Sequence, residues 1–135
     1  MENIERFLKK DRFAEHVGIE LLEVATGKAR ARLRVEEKHL NGAGIAHGAA
    51  IFSLADFVFA AASNSHGTVA LAINVSISFL KAVTGGVLTA EAKEVSLNPK
   101  LGTYAIEVKD EAGDIVATFQ GMVYRKKDSI MATGS

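Results

Sequence analysis

The chain contains no cysteine. A disulfide framework, a thiol nucleophile and a cysteine-ligated metal site are all unavailable to it. It also lacks net charge, with 16 Lys and Arg against 16 Asp and Glu. A protein devoted to nucleic acid or to a membrane surface would carry a basic excess, so neither partner is expected. Proline occurs once, at Pro99, inside the turn-like segment Asn98 to Gly102. The N-terminal segment MENIERFLKKD is charged throughout and gives no sign of a signal peptide, so the expected location is cytoplasmic. The one apolar stretch, Ala49 to Ser63, is short for a membrane span and has Asp56 at its centre. Familiar catalytic signatures are missing as well. There is no GxSxG elbow and no GxxxxGK[ST] or GxGxxG loop, and His39, His47 and His66 form no HExxH-like arrangement. Serine-triad, nucleotide-loop and histidine-zinc chemistry are therefore disfavoured, and no metal site is expected.

What remains is an ordinary globular composition, 48% hydrophobic and 24% charged, over 135 residues. That fits a single domain spanning 1–135, with a tail over 126–135 that lacks periodicity and is expected to fray. Ile4, Phe7, Leu8 and Phe13 lie near helical spacing, which predicts one or two short helices over 3–16. A strand follows from Ile19, then a turn at Gly27. Lys28 to Val35 alternates Ala29, Ala31, Leu33 and Val35 with Arg30, Arg32 and Arg34, the mark of a strand with one buried and one wet face. The arginines read as a solvated face opposite acidic neighbours. After a polar connection over 36–40 come a loop, a long helix from Ala49 to Asn64, and a stop at Gly67. Strands are expected over 68–80, 87–97, 103–109 and 115–124, joined by short turns. Consecutive strands on short turns imply an antiparallel sheet, hence an α+β fold in which one helix covers the face of a curled sheet. That helix is apolar on nearly every side, so a second copy of the chain is expected to cover what the sheet does not.

The stretch from Asn41 to Gly67 carries the chemistry. Gly48 opens the helix, where backbone N–H groups lack intrahelical acceptors and the dipole favours negative charge. It could polarise a carbonyl, or serve only backbone geometry. Asp56 is the lone charge in the helix, and such a carboxylate is costly without partners or a task. It lies eight residues beyond Gly48, about 12 Å along the axis at ~1.5 Å per residue. One helix cannot bring both groups to one atom, whereas two antiparallel copies across a two-fold axis can. His47 has no partner at metal spacing and is expected to fix the loop entering the helix.

Asn41-x6-Gly48 with His47, then Gly48-x7-Asp56, followed by a helix and four strands, resembles the hotdog-fold acyl-CoA thioesterases. Within them the chain is most similar to the phenylacetate-pathway (PaaI-type) group of the 4-hydroxybenzoyl-CoA thioesterase superfamily, over roughly residues 15–125. The resemblance implies a long central helix wrapped by an antiparallel sheet of five to six strands, paired into homodimers and then homotetramers. It implies an acyl-CoA substrate and no cofactor. Asp56 would activate water or attack the thioester carbonyl, Gly48 would polarise that carbonyl, and Asn41 would position the thioester or water. His47, Lys81 and Lys100 are the further substrate-binding candidates, the lysines toward coenzyme A phosphates. The chain departs from the family at Ala49, where a second glycine is common, and at Lys81-Ala82, where a proline often stands. Phenylacetyl, hydroxyphenylacetyl or medium-chain acyl groups are the expected substrates, the last compatible with Phe52, Phe57 and Phe59. The competing reading is a non-catalytic acyl-CoA-binding module, for which a carboxylate buried in the helix has no use. A hydratase would need a His–carboxylate pair that the sequence does not offer.

Overall fold

A computed structural model of the chain describes residues 1–131. Two short helices come first, α1 (Glu2–Leu8) and α2 (Arg12–Val17). Asp11 caps α2 by accepting the Ala14 N–H at 2.9 Å. Gly18 ends it in the left-handed region at φ 97°, a geometry that favours glycine. The β1–β2 hairpin (Glu20–Ala25, Lys28–Arg34) turns at Gly27, as the sequence predicts. Its arginines do face acids, Arg32 at 3.3 Å from Glu20 and Arg30 at 3.9 Å from Glu91.

The long helix α3 runs Gly48–Asn64. Four strands follow: β3 (Thr68–Phe79), β4 (Val87–Leu97), β5 (Leu101–Lys109) and β6 (Ile115–Ser129). Together the six form one antiparallel sheet in the order β1-β2-β4-β5-β6-β3. The sheet curls around α3. Leu54, Ala55, Val58, Ala61 and Ala62 of the helix are fully buried, against inward-facing residues such as Leu88, Ala90, Val108 and Phe119. Burial alternates along β2 as its Ala–Arg pattern predicts, and β4 and β5 alternate in the same way.

Two expectations need correcting. The tail does not fray from Lys126: β6 continues to Ser129, which pairs with Thr68, and Ile130 is buried with its N–H donating to Gly67. The rest of that segment, 132–135, lies outside the described residues. And α3 is covered more completely within one chain than expected. Only Ala49, Phe52, Ser53, Asp56 and Ala60 stay exposed or half-buried beyond its first residue, a single stripe at helical spacing. The sheet takes the other sides, with α1 and α2 closing part of the flank.

Candidate active site

The site is built on the entry to α3. His39 sits in a 3-10 turn over Glu37–His39, buried, with Nδ1 accepting from the Glu36 N–H at 2.8 Å and Nε2 bonded to the Val17 carbonyl at 2.7 Å. Its own carbonyl accepts the His47 N–H at 2.7 Å. Asn41 shapes the loop between them, its Oδ1 accepting the N–H groups of Ala43 (2.9 Å) and Ile45 (3.3 Å). That is an Asx-type turn, and it commits the amide oxygen and leaves the NH2.

His47 is the N-cap of α3, and Nδ1 accepts the Ala49 N–H at 2.9 Å. The N–H groups of Ala50 and Ile51 both go to the His47 carbonyl. Among the described residues, the Gly48 N–H is then the first-turn donor left without an acceptor. A helix start with one open donor, in a positive dipole field, suits an oxygen gaining negative charge. Gly48 also has a packing role. A side chain there would bring its Cβ to 3.2 Å from Phe79 Cζ.

Asp56 stands on the open stripe of α3. Among the described residues its carboxylate makes no hydrogen bond or ion pair. It faces a cavity of ≈ 420 Å³, walled by Phe13, Phe52, Ser53 and Phe57 and reached by Asp11. Burial, and then the negative charge of Asp11, hold its carboxyl above the usual carboxylate range. Phe52 and Phe57 line this cavity. Phe59 does not: it is 1% exposed and turned into the core against Tyr104 and Phe119.

The two lysines part company. Lys81 lies just past β3, with Nζ at 2.6 Å from Asp110 and 2.7 Å from Asp114. Those bonds raise its pKa and bind it to the β5–β6 turn, so a coenzyme A phosphate would compete with two carboxylates. Lys100 sits in the β4–β5 turn, where Leu101 aligns with Tyr124 and Tyr124 with Leu71. That is the C-terminal end of α3, away from Gly48. Within one chain the structure thus brings together His47, Gly48 and the Asn41 loop, sets Asp56 two turns along the helix, and leaves Lys100 apart. Sequence reasoning did not single out Ser53, which lies one turn before Asp56 on α3, or Asp11, which reaches the same cavity because α2 packs on α3. Among the described residues no three His, Asp or Glu side chains are arranged to hold a metal ion, and no helix is long and apolar enough to cross a membrane.

One long helix held in a curled six-stranded antiparallel sheet is the hotdog fold. The model of the thioesterase superfamily matches residues 43–117. A relative from Archaeoglobus fulgidus is 47% identical over 126 residues, covering 93% of this chain and 82% of that protein. The acyl-coenzyme A thioesterase PaaI of Escherichia coli is 34% identical over 125 residues, covering 92% of this chain and 89% of that one. The solved structure of E. coli PaaI, a protein of the phenylacetic acid degradation operon, superposes with a TM-score of 0.91 at 33% identity, over 95% of this chain and 94% of that one. The chain belongs to the thioesterase superfamily, as a PaaI-type member.

Proposed function

We propose that the protein hydrolyses acyl-CoA thioesters to the free acid and coenzyme A, with phenylacetyl, hydroxyphenylacetyl or medium-chain acids as the acyl groups. The observation that carries this reading is the unpartnered Asp56 carboxylate, held in an apolar cavity on the one open stripe of α3. A structural carboxylate would have a bonding partner there.

In this reading Asp56 takes a proton from water as the water oxygen bonds to the thioester carbonyl carbon. The carbonyl oxygen becomes an oxyanion and is met by the Gly48 N–H. When the carbonyl re-forms, the C–S bond breaks, and the coenzyme A thiolate leaves and recovers the proton from Asp56. Direct attack by Asp56 would give an anhydride that water then opens, and it needs the same residue in nearly the same place. The Asn41 amide NH2 orients the water or the thioester. His47 acts through Gly48, holding the helix start open. A thioester is already an activated acyl donor, so no metal or redox cofactor is called for.

Gly48 and Asp56 share the 17-residue helix α3, about 12 Å apart at ~1.5 Å per residue. The working site therefore takes Gly48 from one copy and Asp56 from another, in a homodimer that pairs further into a homotetramer. Strand β3 supports such pairing. It is one of the two edge strands of the sheet, 12 residues long, with Leu71, Ile73, Val75 and Phe79 exposed. A long apolar edge is a ready template for another chain. We read the chain as a single domain over 1–135, acting in the cytoplasm.

The test is coenzyme A release from a panel of aryl- and alkyl-CoA thioesters, comparing wild type with Asp56→Asn. Loss of about 100-fold or more in the variant supports the assignment. A variant as active as wild type refutes it.

A further inference from the structure

We propose that Asp11, presented to the Asp56 cavity by the turn between α1 and α2, is a positioning residue for the hydrolysis, a second carboxylate whose charge acts on Asp56. This rests on the reading of Asp56 as base or nucleophile.

Asp11 and Asp56 line one cavity, and every other residue lining it is uncharged. Among the described residues, no cationic side chain lines that cavity. Asp56 is also the only charged residue of α3. The charged groups of the elements packed on this flank fall elsewhere. Lys9, Glu5 and Glu15 line an adjoining cavity of ≈ 380 Å³, which shares Asp11 but not Asp56. Arg6 pairs with Glu2, and Glu20 of β1 with Arg32. Lys10, Arg12, His16 and Glu23 line neither cavity. Lys38, His39 and His47 line a third cavity beyond Ser53, and that one excludes both carboxylates.

A like charge across a shared cavity makes a carboxylate hold its proton more tightly. A base with higher proton affinity takes a proton from water more readily, provided it is still ionised at the working pH. The upward displacement of Asp56, due first to burial and then to Asp11, has that sense. The position of Asp11 is fixed independently of any ligand. It is the N-cap of α2, with Oδ1 on the Ala14 N–H at 2.9 Å. That cap explains why a short polar residue stands here, but not why it is charged. Asn and Ser cap a helix about as well as Asp. The charge is therefore separable from the cap.

The experiment compares wild type, Asp11→Asn, Asp11→Ser and Asp56→Asn. For each, the pH profile of kcat/KM is measured on the best thioester of the panel, together with a thermal melt. The Asp56 carboxyl is also titrated by carbon NMR in wild type and Asp11→Asn, with no substrate present. Both Asp11 variants keep the cap, so their melts should stay near wild type. Their acid limb should move to lower pH by about half a unit or more. The plateau should fall about two- to threefold. The NMR titration should move the same way. An unmoved titration and limb in both Asp11 variants, with Asp56→Asn inactive, overturns this proposal and leaves the base intact. An active Asp56→Asn overturns the base, while the titration still decides whether Asp11 acts on Asp56.

Discussion

Gly48→Pro separates the two jobs of the residue that opens α3. Gly48 is the first helical residue, after the extended His47 cap at φ −63° and ψ 138°. Proline is well accepted at a first helical position, and the residue before it favours that extended geometry. The substitution therefore keeps the helix. It removes the one first-turn N–H without an acceptor and puts the ring Cδ where its hydrogen was. Gly48→Ala is the control, because it adds a Cβ but keeps the N–H. In both variants the Cβ meets Phe79 near 3.2 Å, and Phe79 is 52% exposed and free to give way. The steric change is therefore largely shared, and the difference between the variants reports the donor. Removing one oxyanion donor costs about 100- to 1,000-fold in kcat, or roughly 2.7–4 kcal/mol. The assay is kcat and KM for coenzyme A release, with a circular dichroism melt to verify folding. The expected order is wild type, then Ala, then Pro at least about 100-fold below Ala. A folded proline variant within about tenfold of alanine would refute the oxyanion role of this amide.

Asp56→Asn should be at least as stable as wild type at neutral pH. The folded carboxyl binds its proton more tightly than the unfolded one, so stability falls as pH rises from the ordinary carboxylate range through the raised value. The gap between the two melts should close in acid below about pH 4, and a variant markedly less stable at pH 7 would contradict this. Gly121→Ala should destabilise the fold by about 1–3 kcal/mol, because its Cβ would fall 2.5 Å from Phe59 Cζ in a core with no room. Adding Phe59→Leu should recover part of that loss, and a purely additive double mutant would show that the ring is not the obstacle. Tyr104→Phe should cost about 1–3 kcal/mol. The buried Tyr104 hydroxyl donates to Glu94 Oε1 at 2.7 Å, and the variant leaves His66 as the remaining side-chain partner of that carboxylate. Burial opposes ionisation of Glu94, but the bonds from His66 and Tyr104 hold its pKa below the usual range. The penalty should therefore shrink as acid protonates Glu94, which melts at two pH values will read.

Most of the fold was legible because its signals are local. Gly27 and Gly67 end elements, the Ala-Arg alternation of β2 shows one wet face, and the run from Ala49 to Asn64 has one length and one character. The misreadings came from tertiary context. Lys126 to Ser129 carry no apolar rhythm, yet they extend β6 because Thr68 supplies backbone pairing, and Ile130 then closes over the core. The stripe of α3 left open within one chain is narrower than its all-round apolar character implied, because α1 and α2 close part of its flank.

The site divides along the same line. Asp56 was legible because a lone charge in an apolar helix is an energetic anomaly in any fold. Lys81 was not, since a loop lysine looks the same whether it meets a phosphate or, as here, Asp110 and Asp114. Asp11 was hidden for a subtler reason. Its local signature is complete as a helix cap, and nothing in the sequence says that the same carboxylate shares a cavity with residue 56. The pairing of copies rests on distance rather than resemblance alone. Gly48 and Asp56 cannot meet within one rigid helix, and β3 leaves an apolar edge along the sheet. A monomer would leave that edge in water and its carboxylate without a use, and the proposed symmetric pairing would remove both liabilities.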